Sequence, residues 1–234
     1  MITPNYPVVI LAGGLATRLR PITEKIPKSL IAINGEPFIA HQLRLLAKNN
    51  FREVVMCVGF LGEQIIDVVG DGHQFGLSVE YAFDGPQLLG TAGAIKKILP
   101  KLHDHFYVLY GDSYLPCDYV AAEKSFNSDK KLALMTVFHN LNAWDSSNVL
   151  FENGEIQTYD KVNRTPAMQH IDYGLGIFHK KAFQHIPEDT FYDLALLYQE
   201  MLKQNQLAAF EIKERFYEVG SLSGIQELEN FLAS

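Results

Sequence analysis

The sequence is poor in cysteine and tryptophan and has no long apolar run. Of its 234 residues two are cysteine, Cys57 and Cys117, and one is tryptophan. Two cysteines cannot build a disulfide framework, so free thiols in a cytoplasmic protein are the simpler interpretation. No segment approaches the ~20 apolar residues that cross a bilayer, and residues 1–7 contain no Lys or Arg, unlike a signal peptide. We therefore expect a cytoplasmic protein without a membrane partner.

Basic charge and several familiar motifs are scarce as well. The 20 Lys and Arg residues are outnumbered by 27 Asp and Glu, a net charge of −7, which argues against a nucleic-acid partner. The chain has no G-x-x-x-x-G-K-[ST] phosphate loop, and Ala16 interrupts any G-x-G-x-x-G pattern. No H-E-x-x-H sequence or Cys/His pairing marks a zinc site among the eight histidines. Kinases, GTPases, dehydrogenases and zinc proteases therefore fit poorly.

The composition nevertheless supports a large folded core, with 47% hydrophobic and 20% charged residues. Short runs rich in β-branched and aromatic residues alternate with segments of helical periodicity. This alternation is typical of a three-layer α/β domain with a mixed, mostly parallel sheet, and we expect one domain over residues 1–234. The predicted strands are 8–12, 54–59, 79–83, 107–110, 132–138 and 174–178. The predicted helices are 37–49, 61–69, 91–99, 193–204 and 225–232.

Two local signals refine this outline. Asn153-Gly154 lies between apolar segments and predicts the turn of a hairpin over residues 151–159. Ser223, with Gln226 three positions later, has the spacing of a capping box at the start of the last helix.

The loop after the first predicted strand is the most informative segment. It begins Leu11-Ala12-Gly13-Gly14 and continues through Thr17-Arg18 to Pro27-Lys28. Paired glycines let the backbone approach a bulky ligand and direct N–H groups at phosphate. Residues 18–28 hold four basic residues and one acid, a local charge of +3 in an acidic chain. The loop thus indicates a small polyanionic ligand, and the alternative is a tight turn beside a solvated basic face.

The whole string, Gly13-Gly14-Leu15-Ala16-Thr17-Arg18-Leu19-Arg20-Pro21 followed by Pro27-Lys28, resembles the signature G-G-x-G-T-R-L-x-P of the sugar-1-phosphate nucleotidylyltransferases. Ala16 stands where that family usually has glycine. The resemblance implies a Rossmann-like nucleotidyltransferase fold. It also implies an enzyme that joins a sugar 1-phosphate to an NTP, with Mg²⁺ as cofactor, and forms a nucleoside diphosphate sugar and pyrophosphate.

The resemblance extends along most of the chain and implies particular roles. Arg18 would bind the β- and γ-phosphates, and Lys28 would neutralise the α-phosphate in the transition state. Asp112, which follows a predicted strand in Tyr110-Gly111-Asp112, would be a catalytic residue and a ligand of Mg²⁺. The implied nucleotide-binding residues are Leu11, Ala12, Gly13, Gly14, Thr17, Asp84, Gly90 and Thr91.

The second half of the chain would supply the sugar phosphate site and a second metal ligand. Lys161, Asp172 and Gly174 resemble family segments that contact the sugar phosphate and the sugar hydroxyls. Glu218 stands where the family usually has a metal-binding Asp, and its extra methylene still lets it share the ion directly or through water. Without the resemblance, Lys161 could equally be a solvated lysine on the protein surface. Asp84 likewise suits a turn residue, and Thr91 suits a helix N-cap.

Guanylyl or uridylyl transfer is favoured, because a carboxylate at Asp84 would accept hydrogen bonds from either base. Two alternatives remain at this point. One is a non-catalytic relative that binds a nucleotide sugar and regulates a partner, and the other is a cytidylyltransferase acting on a small alcohol phosphate. Many relatives form dimers or tetramers, so a homo-oligomer is also among the expectations.

Overall fold

The computed structural model describes residues 4–14, 19–85 and 87–234, so Thr17 and Arg18 lie outside the described residues. Thirteen strands and six α-helices occur in these ranges. The strands are β1 (Val8–Ala12), β2 (Ala32–Ile33), β3 (Glu36–Pro37), β4 (Glu53–Val58), β5 (Ser78–Phe83), β6 (His105–Tyr110), β7 (Ser113–Tyr114), β8 (Ala133–His139), β9 (Val149–Glu152), β10 (Glu155–Tyr159), β11 (His170–His179), β12 (Leu207–Ile212) and β13 (Tyr217–Glu218). The helices are α1 (Phe38–Lys48), α2 (Gly62–Val69), α3 (Gly90–Ile98), α4 (Tyr119–Asp129), α5 (Leu194–Lys203) and α6 (Leu222–Ala233).

Nine strands form one mixed sheet around β1. Strand β1 pairs in parallel with β4 on one side and β6 on the other, and β5 extends the β4 side. Beyond β6 the antiparallel β11 follows, and it is joined by β8, β12 and the β9–β10 hairpin. The order in which strands are added to the sheet therefore reverses at β1, because β4 and β5 lie on one side of it and β6 lies on the other. Open α/β sheets bind ligands at such a point, beyond the carboxyl ends of the strands. The predicted α/β fold with a mixed, largely parallel sheet is confirmed.

Helices cover both faces of the sheet, which explains why β1 is apolar throughout. Val8 and Ile10 belong to the same buried cluster as Ile39 of α1. Val9, which points to the opposite face, belongs to a second cluster with Ile95 of α3 and Leu197 of α5. Such a strand, covered on both faces, reads as a continuous hydrophobic run instead of an alternating one.

A small two-stranded sheet joins the end of the chain to the edge of the large one. Strand β13 pairs with β7 and brings Glu218 opposite Ser113. Helix α6 then begins at Leu222, and the hydroxyl of Ser221 accepts a hydrogen bond from the N–H of Gly224. The N-cap is therefore Ser221, and the predicted cap at Ser223 is wrong. Within the described ranges, no helix combines the length and hydropathy required to cross a membrane.

Candidate active site

A cleft of about 690 Å³ opens where β1, β4, β5 and β6 end. Its walls come from widely separated segments of the chain, and the predicted site residues meet there. Those of the described residues that line it are Leu11, Ala12, Gly13, Gly14, Lys28, Asp84, Gly90, Thr91, Asp112, Lys161, Asp172, Gly174 and Glu218. The described residues that the sequence predicts for the site therefore lie in one cleft.

Lys28 and Asp112 form an ion pair in this cleft. Lys28 begins a short 3-10 helix, Lys28–Leu30, while Asp112 follows the end of β6. Nζ of Lys28 lies 2.5 Å from Oδ2 of Asp112, and the hydroxyl of Ser113 donates to Oδ1 at 3.2 Å. Burial opposes ionisation of Asp112, but the charge and hydrogen bond of Lys28 outweigh it and lower the pKa of the carboxyl. The pair is thus a fixed positive and negative charge at the cleft floor.

Glu218 lies next to this pair. The N–H of Val219 donates to the backbone oxygen of Asp112 at 2.9 Å, which holds β13 against the end of β6. A Cβ built on Gly220 would lie 3.1 Å from Oε1 of Glu218 and 3.3 Å from Nζ of Lys28, so both groups border the same space. The extra methylene of Glu218 therefore does not carry its carboxylate out of the cleft.

These carboxylates fit a hard divalent cation. No group of three or more His, Cys, Asp or Glu side chains in the described part of the chain could enclose a metal ion by itself. Asp112 and Glu218 could supply two oxygen ligands, and Mg²⁺ commonly takes one or two carboxylates and completes its shell with phosphate oxygens and water. The donor set therefore suits an ion that arrives with a phosphate-bearing ligand.

The first glycine of the loop after β1 packs closely against the backbone of the segment after β4. A Cβ on Gly13 would lie 3.3 Å from the nitrogen of Gly59, and a Cβ on Gly59 would lie 2.8 Å from the oxygen of Gly13. Next to it, a Cβ on Gly14 would meet no atom of the described residues within 4 Å. The two segments are thus in close backbone contact at Gly13 and Gly59. Gly14 lines the cleft.

Asp84 is buried and already committed to its own turn. Only 8% of the residue is exposed, and its Oδ2 accepts a hydrogen bond from the N–H of Leu89 at 3.3 Å. Burial raises the pKa of this carboxyl, partly offset by the Leu89 bond and the charge of Lys97. These contacts show that Asp84 fixes the segment that leads into α3.

Gly90 and Thr91 begin α3, but the first amides of that helix have protein partners. The N–H groups of Ala92 and Gly93 donate to the oxygen of Tyr192 at 2.9 and 3.1 Å. The hydroxyl of Thr91 accepts from the N–H of Leu194 at 2.6 Å, and the N-cap position is Leu89. The turn therefore holds residues 190–194 in place. The N–H groups of Ala92 and Gly93, which the small residues suggest as phosphate ligands, already donate to Tyr192.

Asp172 organises the opposite wall. Its side chain is 3% exposed, and Oδ2 accepts hydrogen bonds from Tyr110 at 3.1 Å and Tyr159 at 3.2 Å. Burial, reinforced by the charge of Asp172, raises the pKa of both phenols. The other oxygen accepts from the N–H of Gly174, whose φ of +96° belongs to the left-handed region.

Lys161 lies over this network with its ammonium available to the cleft. Nζ is 3.8 Å from Oδ2 of Asp172 and 5.1 Å from the centre of the Tyr110 ring, and the side chain is 43% exposed. A carboxylate and an aromatic face thus hold the ammonium of Lys161, which lines the cleft.

Several cleft residues were missed by the sequence analysis. They belong to two loops and to the segment before α5, and no short motif marks them. The clearest signal was the run of Asn, Asp and Ser between residues 140 and 148, which is typical of a loop. The missed residues include Asp145, Ser146, Asn148, Arg164 and Phe191.

The fold and site together define a class: an α/β protein with an open cleft where its central strands end and a lysine–carboxylate ion pair within that cleft. The chain belongs to the nucleotidyl transferase family, whose model matches residues 7–233.

Named relatives are similar over most of this chain. It is 33% identical over 205 residues to UTP–glucose-1-phosphate uridylyltransferase of Synechocystis sp., which covers 80% of this chain and 52% of that protein. This chain therefore spans about half the length of that relative. It is 28% identical to N-acetylmuramate alpha-1-phosphate uridylyltransferase of Neisseria meningitidis, over 94% of this chain and 96% of the relative. It is 27% identical to D-glycero-alpha-D-manno-heptose 1-phosphate guanylyltransferase of Campylobacter jejuni, over 91% and 93%.

A solved structure supports the fold. HddC from Yersinia pseudotuberculosis, complexed with GMP-PN, aligns with a TM-score of 0.82 over 97% of this chain and 99% of HddC, at 24% identity. The resemblance to sugar-1-phosphate nucleotidylyltransferases in the sequence is confirmed by these relatives, whose names give two nucleotidyl groups, uridylyl and guanylyl, and three different sugars.

Proposed function

We propose that this chain transfers a nucleotidyl group from an NTP to a sugar 1-phosphate and releases pyrophosphate, with uridylyl or guanylyl transfer favoured. The observation that supports it most directly is the Lys28–Asp112 pair, 2.5 Å apart, beside Glu218 in a cleft large enough for two substrates. Two relatives that match this chain over more than nine-tenths of both proteins, one a uridylyltransferase and one a guanylyltransferase, favour the same two nucleotides.

The reaction needs charge neutralisation more than proton transfer. An oxygen of the sugar phosphate attacks the α-phosphorus, a new P–O bond forms, and the bond to the β-phosphate oxygen breaks as pyrophosphate leaves. The attacking oxygen is an anion at neutral pH, so no general base is required. The barrier arises because two anions must meet, and positively charged groups fixed in advance lower it.

Each cationic side chain has a distinct part in this proposal. Lys28 neutralises the α-phosphate where the new bond forms. Arg18, which follows Gly13-Gly14 in the first loop, holds the β- and γ-phosphates, because a planar guanidinium suits bidentate phosphate contacts. Lys161, at the opposite wall, holds the phosphate of the sugar.

Asp112 and Glu218 are the residues that would hold Mg²⁺. When bound, the ion supplies further positive charge to the phosphates. Lys28 also keeps Asp112 ionised, since the ammonium lowers the pKa of that carboxyl. A carboxylate that stays ionised is available to a cation over a wide pH range.

The decisive experiment measures pyrophosphate release for each of four NTPs with a panel of sugar 1-phosphates in the presence of Mg²⁺. We expect turnover with UTP or GTP and a loss of ~10²–10³ in rate for Lys28→Ala and Asp112→Asn. Matched controls are Lys180→Ala and Asp104→Asn, which break a 2.6 Å ion pair of the same type on the surface. Circular dichroism and melting temperature verify folding.

The same panel separates the alternatives. Nucleotide-sugar binding without turnover would favour a regulatory protein, and turnover only with CTP and an alcohol phosphate would favour a cytidylyltransferase. Retention of turnover within threefold of wild type by either cleft variant would refute the assigned roles.

A further inference from the structure

The segment before α5 is attached to the beginning of α3 by four hydrogen bonds. Besides the three bonds to Tyr192 and Leu194 described above, the N–H of Tyr192 donates to the oxygen of Leu89 at 2.8 Å. The glycines of α3 make this contact sterically possible. A Cβ on Gly90 would lie 2.7 Å from the oxygen of Tyr192, and one on Gly93 would lie 2.5 Å from the oxygen of Thr190. The backbone at residues 190–194 is therefore fixed against the wall of the cleft.

This fixed backbone holds an aromatic ring in solvent. Phe191 lines the cleft, yet the residue is 66% exposed, and its ring stacks on no other aromatic ring in the described part of the chain. Leu88, which is 41% exposed, lines the same cleft. Exposing a phenyl group is unfavourable, because burial of apolar surface is the main favourable contribution to folding. An aromatic side chain held out of the core in a ligand cleft indicates a contact made with the ligand.

We propose that Phe191 stacks on the nucleobase of the NTP, with Leu88 adding apolar contact. The ring edge lies 3.1 Å from the position of a Cβ on Gly90, so it borders the turn to which the nucleotide was assigned. The inference rests on the proposed function for the identity of the ligand.

The nucleobase is favoured over the sugar because of the chemistry near each end of the cleft. The wall around Asp172 carries Lys161 and Asn148, which suit phosphate and sugar hydroxyls. Phe191 and Leu88 offer flat and branched apolar surface instead, and a purine or pyrimidine has an apolar face to cover. Since every base has such a face, this contact raises affinity for the nucleotide without choosing the base.

The test compares Phe191→Ala, Phe191→Tyr and wild type by steady-state kinetics in both substrates. Base stacking on an aromatic ring is strong enough that its removal should raise KM for the NTP about tenfold. We expect KM for the sugar 1-phosphate and kcat to change less than twofold, and Phe191→Tyr to restore the wild-type KM. Leu196→Ala is the matched control, because Leu196 is also apolar and 50% exposed but lies outside the cleft lining.

A second measurement does not depend on turnover. Phe191→Trp adds an indole to a chain that has a single tryptophan, and stacking of a base should quench its fluorescence when UTP or GTP is added. The wild-type signal, from Trp144 alone, is subtracted. The proposal is overturned if Phe191→Ala leaves KM for the NTP within twofold, if KM for the sugar 1-phosphate rises instead, or if the new indole is not quenched. Absence of turnover by the wild type with every substrate pair would refute the proposed function, and quenching would then still decide the stacking.

Discussion

Nζ of Lys28 lies 2.5 Å from Oδ2 of Asp112, although the two residues are 84 positions apart in the sequence. The pair connects the loop after β1 to the end of β6. These are the two neighbouring strands at which the strand order of the sheet reverses. The pair therefore contributes to the stability of the folded protein as well as placing charged groups in the cleft. Its contribution to stability depends on pH, and the sign of that dependence follows from the pKa of Asp112.

The free energy of unfolding should fall in acid partly because of Asp112. Its pKa in the folded protein is below the ordinary value of 3.8, so the folded state binds its proton less readily than the unfolded chain. The resulting stability is present above pH 3.8 and is lost as the pH falls through the lower folded pKa. Urea denaturation between about pH 2.5 and 6 should show a shallower loss for Asp112→Asn than for wild type.

Salt provides the control for this pH dependence. Lys180 also lowers the pKa of Asp104, but that pair lies on the surface, where dissolved ions screen it. Asp104→Asn should therefore change the loss of unfolding free energy in acid at low salt only. The effect of Asp112→Asn on the same loss should persist at high salt. Identical salt responses would contradict the role given to burial at Asp112.

Removal of the Asp172 carboxylate should destabilise the fold. Asp172→Ala leaves the hydroxyls of Tyr110 and Tyr159 without their acceptor in a buried site, at a cost of about 1–3 kcal/mol for each unsatisfied group. Asp172→Asn retains a carbonyl oxygen and should lose less. Chemical denaturation measures both variants, and a loss below about 0.5 kcal/mol for Asp172→Ala would show that the hydroxyls find other partners.

Gly93→Ala should destabilise the protein although alanine favours helices. Helix propensity alone predicts a gain of about 1 kcal/mol, but the new methyl would lie 2.5 Å from the oxygen of Thr190 and displace the segment before α5. Because that segment carries Phe191, KM for the NTP should rise together with the loss of stability. Lys96→Ala, in the same helix, is the control and should alter neither. Increased stability of Gly93→Ala would contradict this packing.

Arg215 should stabilise the loop that contains Trp144. Its guanidinium carbon lies 3.2 Å from the centre of the Trp144 ring and 4.7 Å from that of Tyr217. A double-mutant cycle of Arg215→Lys and Trp144→Leu should give a coupling of about 0.5–1 kcal/mol, since lysine cannot stack its charge in the same way. Additive effects of the two substitutions would show that the stack contributes nothing.

Much of the fold could be predicted from local patterns. The hairpin is an example, because Asn153 and Gly154 adopt φ values of +53° and +83°, as the Asn-Gly turn requires. Helix α4 was missed because its sequence lacks a clear apolar stripe, and it is recognisable mainly by its N-cap, Asp118, which accepts from the N–H of Ala121. The cap of α6 was misplaced by two residues because two serines, Ser221 and Ser223, compete as caps, and only the extended backbone of Ser221 identifies it. Such choices depend on backbone geometry that no short motif encodes.

The site was predictable where residues follow parallel strands, since the carboxyl ends of these strands meet at one edge. That rule brings Gly13, Asp84 and Asp112 to one cleft. It says nothing about residues that reach the cleft through packing between distant segments. Phe191 is held there by bonds to α3, about a hundred positions earlier in the chain, and only the structure reveals that contact.

The position of Glu218 also has a consequence for how the protein acquires its chemistry. Glu218 belongs to a two-residue strand whose neighbour Val219 donates to the backbone oxygen of Asp112, and α6 packs against that strand. The ribosome delivers a chain from its N-terminus, so the central strands and the Lys28–Asp112 pair can form while β13 is still unmade. A nascent chain halted before residue 218 therefore contains both members of the Lys28–Asp112 pair but lacks Glu218, the second carboxylate that we propose as a ligand of Mg²⁺.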